Sequence, residues 1–215
     1  MAILLFFFSI NPFNEANFVP LPFRSISVLS NPAGIGIGRG AELFFAYSSK
    51  SLSSGMTLGN LGFGVSRRDT NTIYELGAGI KFPGAFSVGY ARQFGDTTEN
   101  IIGLICAIGR YLNFGCTSTL GTKKYVHGGA GIKIGGGILT LAGELVYEGI
   151  DDSTDYLFGF TISPTYGIKV NFLSDSDWHW NAGLNLGTSK LRLGVIYSRQ
   201  DKKLTGGIII SAQSF

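Results

Sequence analysis

The chain has 215 residues, a formal net charge of +3, 14% charged and 45% hydrophobic residues, 32 glycines, six prolines and two cysteines. Glycine at about twice its usual share, without a Gly-X-Y period and with little proline, excludes collagen and a Pro/Gly linker, while high apolar content and low net charge exclude intrinsic disorder. A small charge spread over the chain makes no basic patch for nucleic acid, and the length suits one domain or one closed barrel.

Residues Ala2 to Ile10 form an apolar run about as long as a signal-peptide h-region, followed by Asn11, Asn14 and Glu15. No Lys or Arg precedes the run and no clean small-x-small cleavage site follows it, so residues 1–16 read either as a signal peptide or as an apolar start. Nowhere else do about 18 or more apolar residues run without interruption, so a membrane-crossing function has to use strands.

Residues 17–40 contain the turn-forming stretch Ser30-Asn31-Pro32-Ala33-Gly34 and a glycine-rich run to Gly40. Asn as a cap, Pro at the first turn and Gly after it predict a compact turn or a single helical turn. The Gly34–Gly40 run has the look of a dinucleotide fingerprint, but a strand follows it and no strand-helix pair frames it, so no cofactor is expected.

From residue 41 to 215 the hydrophobic period is two. Predicted strands cover 41–49, 55–66, 72–82, 85–93, 100–109, 111–120, 125–134, 138–148, 155–163, 165–173, 178–187, 190–198 and 204–215. Most have about the 9 to 11 residues that cross a bilayer at a tilt, whereas soluble strands average nearer 5 to 6. Within 138–148, Leu139, Leu141, Leu145 and Tyr147 fall on one face and Glu144 and Glu148 on the other. The same alternation places Glu75, Lys81, His127, Lys133, Lys169, His179 and Arg192 opposite rows of Leu, Ile, Phe and Tyr.

The face that carries these ionisable residues is otherwise mostly glycine and alanine, which is a poor water-facing surface but suits the inside of a narrow barrel. The expected fold is therefore all-β, a closed antiparallel transmembrane barrel in the bacterial outer membrane, with lipid as the partner of its oily face. Longer charged connections, such as 66–71, 94–99 and 174–177, alternate with tight turns at Pro83-Gly84, Arg110, 135–137, Pro164 and 187–189. Tyr74, Tyr90, Tyr147, Tyr156, Phe172, Trp178 and Tyr197 lie beside the former, and Phe82, Phe86, Tyr166 and Phe215 at the other end, as two aromatic girdles would. Thirteen strands conflict with an even count. Either 23–29 adds a strand, giving fourteen, or 41–49 lies outside the wall, giving twelve.

Few residues point to chemistry. His127 and His179 occur singly and read as wall residues, and no Ser-His-Asp, HExxH or P-loop arrangement exists, so neither an enzyme nor a metal site is expected. The runs Asp151-Asp152-Ser153-Thr154-Asp155 and Asp175-Ser176-Asp177 offer carboxylate oxygens to a divalent cation, but such runs are more often just solvated loops. Cys106 and Cys116 fall on the lipid face within about one rung of each other, which permits a bridge without requiring one. Both charge signs on the inner face allow ion pairs across the interior and argue against strong ion selectivity.

The segment Asn31, Pro32, Ala33, Gly34, followed by the strand at Glu42-Leu43-Phe44-Phe45, resembles the NPAG-type region before the first strand of FadL/PorV-like outer-membrane barrels. The barrel pattern is also similar to modules found fused to signal peptide peptidase A type enzymes. The resemblance implies that residues 17–40 form a plug-like lumenal segment, that a small hydrophobic ligand crosses the membrane, and that the strand ending in Phe215 engages the barrel-assembly machinery. Glycines on the inner wall would leave room for such a ligand. The alternative is a non-conducting barrel that serves as a membrane anchor or secretion-system partner.

Overall fold

The computed structural model describes residues 12–13, 18–21, 24–121, 125–149 and 153–212. The expected signal peptide at 1–16, apart from Pro12 and Phe13, the Asp151-Asp152 pair and the terminal Phe215 lie outside the described residues.

Fourteen strands close into one antiparallel barrel in which every strand pairs with its sequence neighbours and the first pairs with the last. They are β1 (Ala41–Tyr47), β2 (Ser51–Leu58), β3 (Leu61–Arg68), β4 (Asn71–Lys81), β5 (Phe86–Phe94), β6 (Glu99–Ile108) and β7 (Leu112–Thr119). The second half comprises β8 (Tyr125–Ile134), β9 (Leu139–Glu148), β10 (Ser153–Thr165), β11 (Ile168–Asp175), β12 (Trp180–Gly187), β13 (Leu191–Ser198) and β14 (Lys203–Ala212). Closure runs through seven register partners, from Ala41 opposite Ala212 to Tyr47 opposite Gly206, so no edge is left unpaired. The start of β1 and the end of β14 share one rim, here the proximal rim. The other is the distal rim.

The expected alternation holds around the whole wall. Leu43, Leu76, Tyr90, Leu104, Leu145, Phe158, Leu184 and Leu193 are exposed on the outside. Phe44, Ala91, Ile105, Val146, Leu173 and Ile209 are buried on the inside. An outer surface of contiguous large apolar side chains is incompatible with water and fits hydrocarbon. Tyr166 and Trp178, 82% and 70% exposed, stand at opposite rims. On the outside Phe160 stacks on Phe172 and Phe172 on Trp180, at ring separations of 5.3 and 6.3 Å, and Tyr197 stands tilted against Trp180 at 6.1 Å.

Four details depart from the expectation. The predicted strand 55–66 is two strands, β2 and β3, joined by Gly59-Asn60, where Gly59 adopts φ +58°. Fourteen strands thus arise with 41–49 in the wall and without a strand at 23–29. Residues Arg24–Ser27 form instead one helical turn, α1, inside the barrel. Pro164 is not the turn: β10 continues through it to Thr165 with a register shift between Ile162 and Thr165, and the reversal falls at Tyr166-Gly167, where Gly167 adopts φ +84°. Proline within a strand is tolerated at such an irregularity because the missing N–H costs no ladder bond there. Connections are short on both rims, so the rims differ more in loop charge than in loop length.

Cys106 and Cys116 both face outward and are free, with Cys106 opposite Phe114 and Leu104 opposite Cys116. No described helix is long and apolar enough to cross a membrane.

Candidate functional site

The functional space of such a barrel is its lumen, and here the N-terminal segment occupies it. Pro12-Phe13, residues 18–21, α1 and a 3-10 turn at Pro32–Ile37 run through the interior before Gly38–Gly40 leads into β1. Phe13, Ala33 and Ile35 are completely inaccessible to solvent. Phe13 and Ile26 pack with Phe44, Ala46 and Ile209 from the wall, and Phe18 packs with Val146, Leu157 and Leu173.

The wall is bare beneath the stretch from Asn31 to Gly36. Gly79, Gly89 and Gly103 are register partners on three successive strands and form a stripe without side chains. The backbone of Asn31 to Gly36 lies on this stripe. A Cβ at Gly79 would stand 2.6 Å from the Gly36 nitrogen, and one at Gly89 or Gly103 would overlap Pro32 or the Asn31 side chain. Further along, a Cβ at Gly115 would come within 2.6 Å of Val19 and Pro20, and one at Gly194 within 2.9 Å of the Phe13 ring. The inner glycines therefore do not leave room for a passing ligand, as the sequence suggested: their space is filled by the chain's own N-terminal segment.

Polar contacts fix the segment at a few heights. Asn31 caps the 3-10 turn by accepting from the Ala33 amide at 3.1 Å, and its Nδ2 donates to the carbonyls of Val19 (3.0 Å) and Leu104 (3.3 Å). The Ser87 hydroxyl donates to the Ala33 carbonyl at 2.6 Å. Glu42 accepts from the amide and hydroxyl of Ser25, each at 2.8 Å, and from the Ser211 hydroxyl at 2.9 Å. The Arg24 guanidinium donates to the carbonyls of Arg39 and Gly59 at 2.9 and 2.7 Å, tying α1 to the proximal rim.

Glu144 is a second inner-wall carboxylate that grips the segment. Its Oε2 accepts from the Val19 amide at 3.0 Å and its Oε1 meets His127 Nδ1 at 2.9 Å, with both side chains buried. Replacing Glu144 by Ala leaves the Val19 amide and the imidazole without these partners, at a cost of about 1–3 kcal/mol for each buried group. Limited proteolysis of the folded protein in detergent should accordingly cut Glu144→Ala within residues 18–37 faster than the parent, and Glu144→Gln, which keeps an acceptor, at an intermediate rate.

The ionisable residues expected on the inner face are sorted by height rather than mixed. Glu75, Glu144 and Glu148 are buried in the middle and distal parts of the wall, with His127 beside Glu144. Lys81, Lys133, Lys169 and Arg192 stand at the proximal ends of β4, β8, β11 and β13. The basic side chains thus stand nearer the proximal rim and the carboxylates farther from it. His179 is not on the wall. It lies in the distal turn before β12, where its Nδ1 meets Asp175 Oδ2 at 2.9 Å while Asp175 Oδ1 accepts from the His179 and Asp177 amides. Asp175 is thereby occupied by its own turn, and no group of three or more His, Cys, Asp or Glu that could hold a metal comes together among the described residues. Glu42 and Ser87, which hold the segment, were missed by sequence reasoning, although both occupy inward positions of their strands.

Space remains at the proximal end. A cavity of about 550 Å3 opens between Pro20, Leu21 and Ile37 of the segment and a wall bearing Lys81, Ile105 and Lys133. A smaller hollow of about 230 Å3 contains Lys169 and Arg192.

No family model and no curated protein matches the chain. Among solved structures it is similar to the outer membrane protein Omp33 of Acinetobacter baumannii, with a TM-score of 0.57 at 9% identity over 83% of this chain and all of that one. It is also similar to the KdgM porin (TM-score 0.46, 12% identity, 80% of this chain and 99% of that one) and to a mutant porin of Rh. blastica (0.48, 7%, 80% and 98%). At such identities the likeness to Omp33 concerns the fold alone, which is that of an outer-membrane β-barrel, and the apolar outer surface agrees with this environment.

Proposed function

We propose that this chain is a plugged transport barrel of the outer membrane, closed at rest, which passes a small compound with an apolar body when its N-terminal segment shifts. The observation that carries the reading is the filled lumen above an open proximal cavity, whose floor is made by Pro20, Leu21 and Ile37 of the segment itself. A compound entering the cavity touches the element that blocks its path. The resemblance of Asn31–Gly34 to the motif of FadL/PorV-like barrels supports the same reading, as does the burial of Asn31, Pro32, Ala33 and Gly34 in the lumen.

A second reading, the non-conducting anchor, draws support from the bare stripe at Gly79, Gly89 and Gly103, because a wall shaped so closely to its filling favours permanence. Deletion of Ser30 to Gly36 separates the two. In planar bilayers the intact protein is expected to stay near background and the deletion to raise conductance about tenfold or more, because the strands alone enclose the lumen. Vesicle uptake assays of the intact protein then decide between transport and anchoring. Uptake of some small apolar compound supports the first reading, and impermeability to a broad panel supports the second.

A further inference from the structure

We infer that the proximal cavity is a binding site for a small organic anion with an apolar portion. Two lysines, Lys81 and Lys133, line it from β4 and β8, together with the polar side chains of Ser87, Asn113 and Thr140, and no carboxylate among the described residues lines it. Neither ammonium has a hydrogen-bond or ion-pair partner among the described residues. Two like charges facing one hollow repel each other, and an anion between them removes that repulsion while gaining charge-assisted hydrogen bonds. The apolar part of the ligand would rest on Leu21, Ile37 and Ile105.

The surroundings reinforce the sign. Arg39, Arg110, Lys169 and Arg192 also stand at the proximal rim, whereas Glu42 is its one acidic residue among the described residues and is already engaged by Ser25 and Ser211. A rim of one sign around a low-dielectric mouth concentrates anions there. The cavity volume of about 550 Å3 lies within the usual small-molecule range of roughly 300–1,000 Å3.

This inference deepens the transport reading by naming a ligand class, yet it concerns equilibrium binding and can hold or fail independently of flux. Isothermal titration of the full chain in non-ionic detergent with benzoate, with its uncharged counterpart benzamide and with inorganic phosphate tests it. Benzoate is expected to bind about tenfold or more tightly than benzamide, the effect of charge-assisted hydrogen bonds. Phosphate, which lacks the apolar part, is expected to bind more weakly than benzoate. Combined Lys81→Met and Lys133→Met should abolish the preference for benzoate over benzamide. Combined Lys81→Arg and Lys133→Arg should retain it, and Lys169→Met in the neighbouring hollow should leave it unchanged. Equal binding of benzoate and benzamide, binding of phosphate as tight as that of benzoate, or a preference that survives the double methionine variant would overturn the assignment.

Discussion

Gly89→Leu is expected to drive the N-terminal segment out of the barrel while leaving the wall intact. Gly89 sits between its register partners Gly79 and Gly103, and the Pro32–Ala33 peptide lies directly on it. The atoms that a new Cβ would meet are backbone, so no rotamer change relieves the overlap, and the cost exceeds the roughly 1–3 kcal/mol usual for overpacking. Each polar contact that holds the segment, such as Ser87 to Ala33 or Asn31 to Leu104, contributes only about 1 kcal/mol net. Displacement of the segment is therefore the cheaper response. The strands remain paired, because β5 keeps its ladder bonds to β4 and β6. Conductance in planar bilayers should rise from background, and the segment should become accessible to protease, while the folded barrel still migrates differently from the boiled one on gels. Gly128→Leu is the matched control: Gly128 faces outward and nothing lies within 4 Å of its added Cβ, so both readouts should match the parent. A closed, protease-resistant Gly89→Leu protein would mean that the segment does not lie on the glycine stripe.

The wall was legible in the sequence because a strand in a membrane barrel faces two unlike solvents, and each residue reports which one it meets. Leu139, Leu141, Leu145 and Tyr147 against Glu144 and Glu148 needed no tertiary information. Boundaries failed where the alternation itself misled. Met56 and Leu58 before the Gly59-Asn60 turn and Leu61 and Phe63 after it all face outward, which requires a change of parity, yet the apolar density runs on without a break. Residues 23–29 alternate in the manner of a strand, but the barrel is already closed by β1 and β14, so an additional strand has no edge to pair with. The chain there satisfies its own backbone in the turn of α1, with the Leu29 amide bonded to the Ile26 carbonyl at 2.9 Å.

The contents of the lumen were far less legible. Which side of the wall the glycines occupy follows from parity, but what lies against them does not. Val19 meets Glu144 across 125 residues and Asn31 meets Leu104 across 73, and no local pattern encodes such pairings. Parity likewise says which residues of a strand share a face with the lysines and glutamates, whereas their separation by height depends on strand direction and stagger. An error of one turn, such as the merged β2 and β3, inverts every strand direction before it relative to those after it.

The identity of the solvent outside the barrel makes its own prediction. Leu76 is the sixth of eleven residues in β4 and Leu145 the seventh of ten in β9, so both lie well away from the rims, and both are about half exposed on the outer face. If hydrocarbon bathes that face, arginine at either position must carry its charge into the bilayer or thin the bilayer around it, at about 2–4 kcal/mol near the midplane. If water bathed it, a half-exposed leucine replaced by arginine would change stability by no more than about 0.5 kcal/mol, the usual range for surface substitutions. Reversible unfolding by denaturant in lipid vesicles should therefore show Leu76→Arg and Leu145→Arg each destabilised by about 2–4 kcal/mol. Leu61→Arg, at the proximal end of β3, should lose about 1 kcal/mol or less, because its side chain can reach the interface. A flat profile across these three positions would remove the lipid contact.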